Sequence, residues 1–167
     1  MDSLEILDGK TVLLVDDEVD ILETLEEMLF QCRVDSALSF DRAVDLLRDR
    51  SYDVAVLDIM GVQGFELLKI THRKEIPTLM LTAHALTPEN LRQSMEKGAD
   101  AYVPKDKMAD LPLFMADVLK ARSEGKRANA GWFSFLEPAF EKVFGRGWRK
   151  NDETFWDEFD RDRNPGP

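Results

Sequence analysis

Val54-Ala55-Val56-Leu57-Asp58 is a run of four apolar residues closed by a carboxylate, and it follows the polar Ser51-Tyr52-Asp53. A short apolar run with two β-branched valines predicts a strand buried on both faces of a parallel sheet. Asp58 then stands at the carboxyl end of that strand. In an open α/β sheet this end faces the crevice where ligands bind, so an acid there is available for chemistry. A turn also favours Asp where a strand stops, so one such residue decides little. The question is whether other strands deliver reactive groups to the same edge.

Lys10-Thr11-Val12-Leu13-Leu14-Val15 repeats the buried-strand pattern after Gly9 and ends in Asp16-Asp17-Glu18. Over residues 19 to about 31, Ile21, Leu22, Leu25, Met28 and Leu29 recur at helical spacing, with acids in the first turn where the helix dipole favours them. Arg33-Val34-Asp35-Ser36-Ala37 reads as a weak edge strand, and Ser39 caps a helix that turns Ala43, Leu46 and Leu47 inward. After Asp58 the loop Gly61-Val62-Gln63-Gly64 leads to a short helix carrying Phe65, Leu67, Leu68 and Ile70. Pro77 opens the strand Thr78-Leu79-Met80-Leu81-Thr82, which puts Thr82 at a carboxyl end. Thr87 followed by Pro88 starts the next helix and Gly98 stops it. Ala101-Tyr102-Val103 makes a fifth strand ending at Pro104-Lys105, and Leu111, Phe114, Met115, Val118 and Leu119 share one face of a helix over residues 111–122. Five strand–helix pairs with right-handed crossovers predict an α/β fold, a doubly wound five-stranded parallel sheet covered on both sides.

Composition narrows the partners. The 167-residue chain carries a net charge of −11, which repels phosphate and argues against direct DNA binding or adsorption to an anionic membrane. Cys32 is the single cysteine, so neither an internal disulfide nor a cysteine-based zinc site can form. The N-terminus lacks a signal-peptide pattern and no apolar run reaches 18 residues, so the expectation is no membrane span and a cytoplasmic location.

The predicted carboxyl edge gathers Asp16 and Asp17, Asp58, Thr82 and Lys105 from four strands. Three carboxylates in one crevice raise one another's affinity for protons unless a cation neutralises them. A hard divalent ion such as Mg²⁺ suits a few carboxylates, a carbonyl and waters. The hydroxyl and ammonium opposite the acids then suit the outer oxygens of a phosphoryl group, and Asp58 suits the nucleophile.

These motifs resemble the receiver domain of bacterial two-component response regulators. The resemblance covers nearly three quarters of the chain and rests on Asp16-Asp17 after the first strand, Val-x-x-Asp58, Leu81-Thr82-Ala83, and Gly98-Ala99-Asp100-Ala101-Tyr102 leading to Lys105. It implies a flavodoxin-like sheet of order 2-1-3-4-5 and a phosphoacceptor role for Asp58, served by a sensor histidine kinase or phosphotransfer protein. It further implies Mg²⁺ held by Asp17 and the Met60 backbone carbonyl directly and by Asp16 through water, with Asp58 also in the metal set. Thr82 and Lys105 would bind the phosphoryl oxygens, and Tyr102 would be the aromatic switch residue that follows Thr82. Such a chain is a signalling protein rather than an enzyme, changing its association with a downstream protein target or with a second copy of itself. Three features depart from the family pattern. The stretch after Asp58 lacks the usual Met-Pro-x-x-Asp-Gly, Asp58 and Thr82 are only 24 positions apart, and proline precedes Lys105 instead of following it. The alternative reading, a Mg²⁺-dependent phosphohydrolase with an aspartyl nucleophile, normally needs an Asp-x-Asp motif, and Asp58-Ile59-Met60 has no second acid.

With the receiver taken as residues 1–122, residues 123–131 read as a linker and 132–167 as a helical extension. Past residue 122 lie nine of the fifteen aromatics, including all three tryptophans. Trp132, Phe135, Leu136, Phe140, Val143 and Phe144 lie near helical spacing up to Gly145 and Gly147, and Phe155, Trp156 and Phe159 form a second patch. So short a segment cannot bury these rings alone. The expectation is that they fold back on the receiver or on a partner subunit; an output or docking element and a membrane-surface helix are the alternatives. The basic residues of 126–150 and the acids of 151–163 are also placed to pair. His72 and His84 are expected at the surface, His84 near Thr82.

Overall fold

The computed structural model describes residues 3–83, 86–126 and 130–163. Five parallel strands, β1 (Thr11–Val15), β2 (Arg33–Ala37), β3 (Val54–Asp58), β4 (Thr78–Thr82) and β5 (Ala101–Pro104), form one sheet in the order β2-β1-β3-β4-β5. Helices α1 (Val19–Met28), α2 (Phe40–Asp49), α3 (Gly64–Arg73), α4 (Pro88–Glu96) and α5 (Leu111–Ser123) alternate with them, giving the flavodoxin-like arrangement. Every residue of β3 and β4 is buried, as continuous apolar runs require in central parallel strands. β2, at the edge, is exposed at Arg33, buried only at Ala37 and partly covered between them.

Local signals act as expected at most boundaries. The Ser39 hydroxyl accepts a hydrogen bond from the Arg42 amide, and the Thr87 hydroxyl accepts one from the Asn90 amide ahead of Pro88. α1 ends three residues short of position 31: Met28 is its last residue, and Leu29 turns out of the helix while its side chain stays in the core. α3 has ten residues, as α1 and α2 do, so the compact spacing from Asp58 to Thr82 does not come from a helix shorter than its neighbours. Deep in the fold Asp100 accepts the Thr78 amide and pairs with Arg122 through both oxygens, at 2.9 and 3.0 Å, tying α5 to the entry of β4 and β5.

Two more helices follow, α6 (Ala130–Phe144) and α7 (Glu153–Arg163), joined by a 3-10 turn at Trp148–Asp152. α6 runs through Pro138, although proline donates no amide hydrogen bond to the preceding turn. The buried stripe Trp132, Phe133, Leu136 and Phe140 spans that point and holds the helix against the α/β layer. α6 packs on α5 and β5, so α5 is covered by the sheet on one side and by α6 on another. The N-terminal 3-10 turn Ser3–Leu7 packs on α5 as well, and with cover from all three Ala116 and Ala121 are buried beside the expected Leu111, Phe114, Met115, Val118 and Leu119. The extension thus folds back on the α/β layer of its own chain.

Candidate functional site

The carboxyl ends of β1, β3, β4 and β5 meet at one edge, and the strand register sets which residue arrives there. Val15 lies opposite Leu57, Asp58 opposite Leu81, and Thr82 opposite Pro104. Asp16, Asp58, Thr82 and Lys105 therefore each sit at, or one residue beyond, a strand end. Carboxylate oxygens of Asp16, Asp17 and Asp58 all lie within 4.8 Å of one another. The Lys105 ammonium faces them, 2.9 Å from Asp16, 3.0 Å from Glu18 and 3.5 Å from Asp58.

Burial sets the electrostatics. Asp58 is 4% exposed and Asp16 1%, while Asp17 opens to solvent. Loss of water, reinforced by the neighbouring Asp16 charge, pushes the Asp58 carboxyl up to about 7. Burial likewise raises Asp16, against the Glu18 amide and Lys105 that favour its charge. Burial works against the Lys105 ammonium, but its contacts with Asp16, Glu18 and Asp58 outweigh that and hold its proton more firmly than usual. One lysine does not neutralise the acids it faces. The cluster holds hard oxygen donors at short range with an excess of negative charge, and such a set fits a hard divalent cation.

The loop after β3 is shaped by two glycines. Gly61 has φ +84°, and a Cβ there would fall on the Asp17 carboxylate. A Cβ on Gly64 would strike the Asp58 backbone carbonyl. Met60, between them and Asp58, leaves its side chain exposed, which is compatible with a role for its backbone alone. Thr82 is 1% exposed at the end of β4. Tyr102 is fully buried on β5, with its hydroxyl at the Thr87 backbone. His72 is exposed at the end of α3, and His84 lies outside the described residues.

Glu18 was missed by sequence reasoning as part of the site. It reads there only as the last of the acids that close the first strand, yet in the N-cap position of α1 its side chain makes no cap and turns to Lys105, while its amide donates to Asp16 at 2.9 Å. The steric need for Gly61 was equally invisible, because it depends on where Asp17 comes to rest. The only sequence signal for either was position: Glu18 directly follows Asp16-Asp17, and Gly61 lies three residues after Asp58.

Residues 12–113 match the response regulator receiver domain. The chain belongs to that family. Among curated proteins it is 38% identical over 107 residues to the phosphate regulon transcriptional regulatory protein PhoB of Pseudomonas aeruginosa, covering 58% of this chain and 45% of that one. It is 32% identical over 103 residues to the two-component response regulator ARR18 of Arabidopsis thaliana, covering 58% and 16% respectively. The chain spans less than half the length of these relatives. Among solved structures, a CheY-like receiver domain protein from Methanospirillum hungatei superposes with TM-score 0.65 at 26% identity, over 71% of this chain and 99% of that one. The matched residues hold the five strands, α1–α4 and the start of α5, and the match stops short of α6 and α7. Among the described residues, no helix is long and apolar enough to cross a membrane.

Proposed function

We propose that this receiver accepts a phosphoryl group on Asp58 from the phosphohistidine of a sensor kinase or phosphotransfer protein, and that the modification changes its protein–protein association. The observation that carries this reading is the convergence of Asp16, Asp17 and Asp58 with Lys105 opposite them at one sheet edge. An Asp58 oxygen attacks phosphorus, the donor's N–P bond breaks, and the imidazole leaves with the electron pair, giving an acyl phosphate. Lys105 sits 3.5 Å from Asp58, close enough to neutralise charge on the transferring group. Thr82, at the end of the adjacent strand, offers its hydroxyl to a phosphoryl oxygen, and Tyr102 follows its displacement. Asp17 and the Met60 carbonyl would hold Mg²⁺, with Asp16 holding it through water. When bound, the ion supplies charge neutralisation for the acids and the phosphoryl oxygens. The catalysis is positioning and electrostatics, with no turnover of a separate substrate.

Residues 1–122 are the unit we assign to this chemistry, 123–131 the connection, and 132–167 the response element. Incubation with Mg²⁺ and acetyl phosphate is expected to add one phosphoryl group that survives acid and is lost in base. Asp58→Asn should abolish it, and a label that persists in that variant would place the acceptor elsewhere.

A further inference from the structure

At the amino edge of the sheet, the edge away from the acidic crevice, the C-terminal ends of α3 and α5 flank a cavity of about 500 Å³. Its lining is His72 and Arg73 from α3, Glu75 from the turn that follows, Arg122 from α5, and Gly125 and Lys126 just beyond. Three cations and one acid therefore share the cavity, in a molecule whose net charge is −11. The negative end of a helix dipole favours cations, which accounts for Arg73 and Arg122 in the last turns of their helices. Lys126 lies past α5, so the dipole does not explain why it joins them.

Two of these groups are fixed by the fold. Arg122 gives Nε and Nη2 to the carboxylate of Asp100, which is 2% exposed, so the plane of its guanidinium is set while Nη1 stays outside that pair. Gly98 has φ +102° and a Cβ there would strike the His72 imidazole, so the ring is seated against the turn that enters β5. Between them Glu75 takes φ +59° with its amide donating to the His72 carbonyl at 3.0 Å, a left-handed conformation that a residue with a side chain keeps only where its surroundings impose it. The other two cations are loosely held. Arg73 makes no ion pair among the described residues, and its Nε reaches the Lys69 carbonyl at 3.4 Å. The Lys126 ammonium stands 3.8 Å from Glu124, on a side chain that is 71% exposed.

We propose that this cavity is a binding site for a small phosphorylated anion of nucleotide size. The volume falls in the ordinary range for small-molecule sites, about 300–1,000 Å³, and exceeds what one phosphate or carboxylate needs. A guanidinium presents its donors in a planar fork that matches phosphate oxygens, and an ammonium adds a mobile point charge. Asp100 preorganises Arg122 for this, while Arg73 and Lys126 have no short ion pair to give up. The Glu75 carboxylate lines the same space and lowers the affinity. The site shares no residue with the crevice and does not depend on phosphorylation of Asp58. Lys126 stands four positions before Ala130, where α6 begins, so an anion held there sits at the root of the extension and gives the chain an input separate from its acid cluster.

The test is titration calorimetry on the full chain in metal-free buffer of low ionic strength, with inorganic pyrophosphate or ADP as the probe. Each should bind at one site with submillimolar affinity, weakened by added salt. Arg73→Glu and Lys126→Glu, both at exposed positions, should each weaken binding about tenfold or more, as the loss of one charge-assisted hydrogen bond requires. Glu75→Gln should tighten it several-fold, a gain that a misfolded protein cannot give. Lys105→Gln should bind as the wild type does. Absence of binding to either probe overturns the site, as does binding that the two reversals and Glu75→Gln leave unchanged. Binding lost in Lys105→Gln places the anion in the crevice instead, and citrate bound as tightly as pyrophosphate overturns the assignment to phosphate.

Discussion

The crevice at the strand ends and the aromatic layer over β5 are held together in opposite ways. In the crevice, groups as remote in sequence as Asp16 and Lys105 are brought within 2.9 Å, each placed by the strand that precedes it. In the extension, rings near one another in the chain are placed by mutual contact and by the receiver face beneath them. The first arrangement inherits its geometry from a sheet whose central strands are wholly buried, so it answers mainly to changes of charge. The second is a small core that cannot stand alone, so it answers mainly to changes of volume. Tyr102 belongs to both.

The sharpest way to break this contrast is to remove volume from the extension. Trp156→Ala deletes a ring that is 3% exposed and contacts Phe133, Trp148, Phe155 and Phe159. We expect a loss of about 3–5 kcal/mol in urea unfolding, with phosphorylation of Asp58 retained. A variant that unfolds normally but fails to accept phosphate would mean the layer governs the crevice rather than resting on the receiver.

A smaller effect sharpens the electrostatic half of the contrast. The Asp58 carboxyl sits at about 7 in the folded chain against an ordinary value of 3.8, and Asp16 is raised as well. Between those limits the folded chain keeps protons that the unfolded chain releases. The stability Asp58 contributes is therefore complete below about pH 4 and lost as pH rises to about 7, and Asp16 acts in the same direction. Without divalent cation, the urea midpoint should fall over that interval relative to Asp58→Asn. Saturating Mg²⁺ should remove the difference, because it favours the ionised acids. A pH profile unaffected by Mg²⁺ would exclude these carboxylates as its ligands.

The smallest of these changes tests how the loop frames the acids. Gly61→Ala places a side chain in a left-handed conformation that costs about 1–2 kcal/mol, and its Cβ meets the Asp17 carboxylate. Mg²⁺ affinity, read by titration calorimetry, should fall about tenfold, while the tryptophan emission of the resting protein stays unchanged. Unaltered affinity would show that Asp17 is not held where the metal needs it.

Much of the site was legible before any coordinates. Apolar runs ending in Asp16-Asp17, Asp58, Thr82 and Lys105 are local patterns, and a parallel α/β sheet sends every such ending to the same edge. The helix starts at Ser39 and Thr87 were equally readable, since a cap acts within one turn. Glu18 was read only as one of the acids that close the first strand, because its partner lies 87 positions away. In the extension, aromatic spacing indicated helices, but Pro138 gave no sign that α6 would continue through it. That outcome depends on rings packed to either side.

The amino-acid order by itself determined the five strands, their sequence in the sheet through the family pattern, and the identity of the groups at its carboxyl edge. These follow from hydrophobic periodicity and turn chemistry, which act over a few residues. Tertiary structure alone decided that Lys105 is shared among three acids, that Gly61 makes room for Asp17, and that Phe140 comes to rest on Tyr102. Those are distances between chain segments remote in sequence, and only the packing of the whole fold sets them.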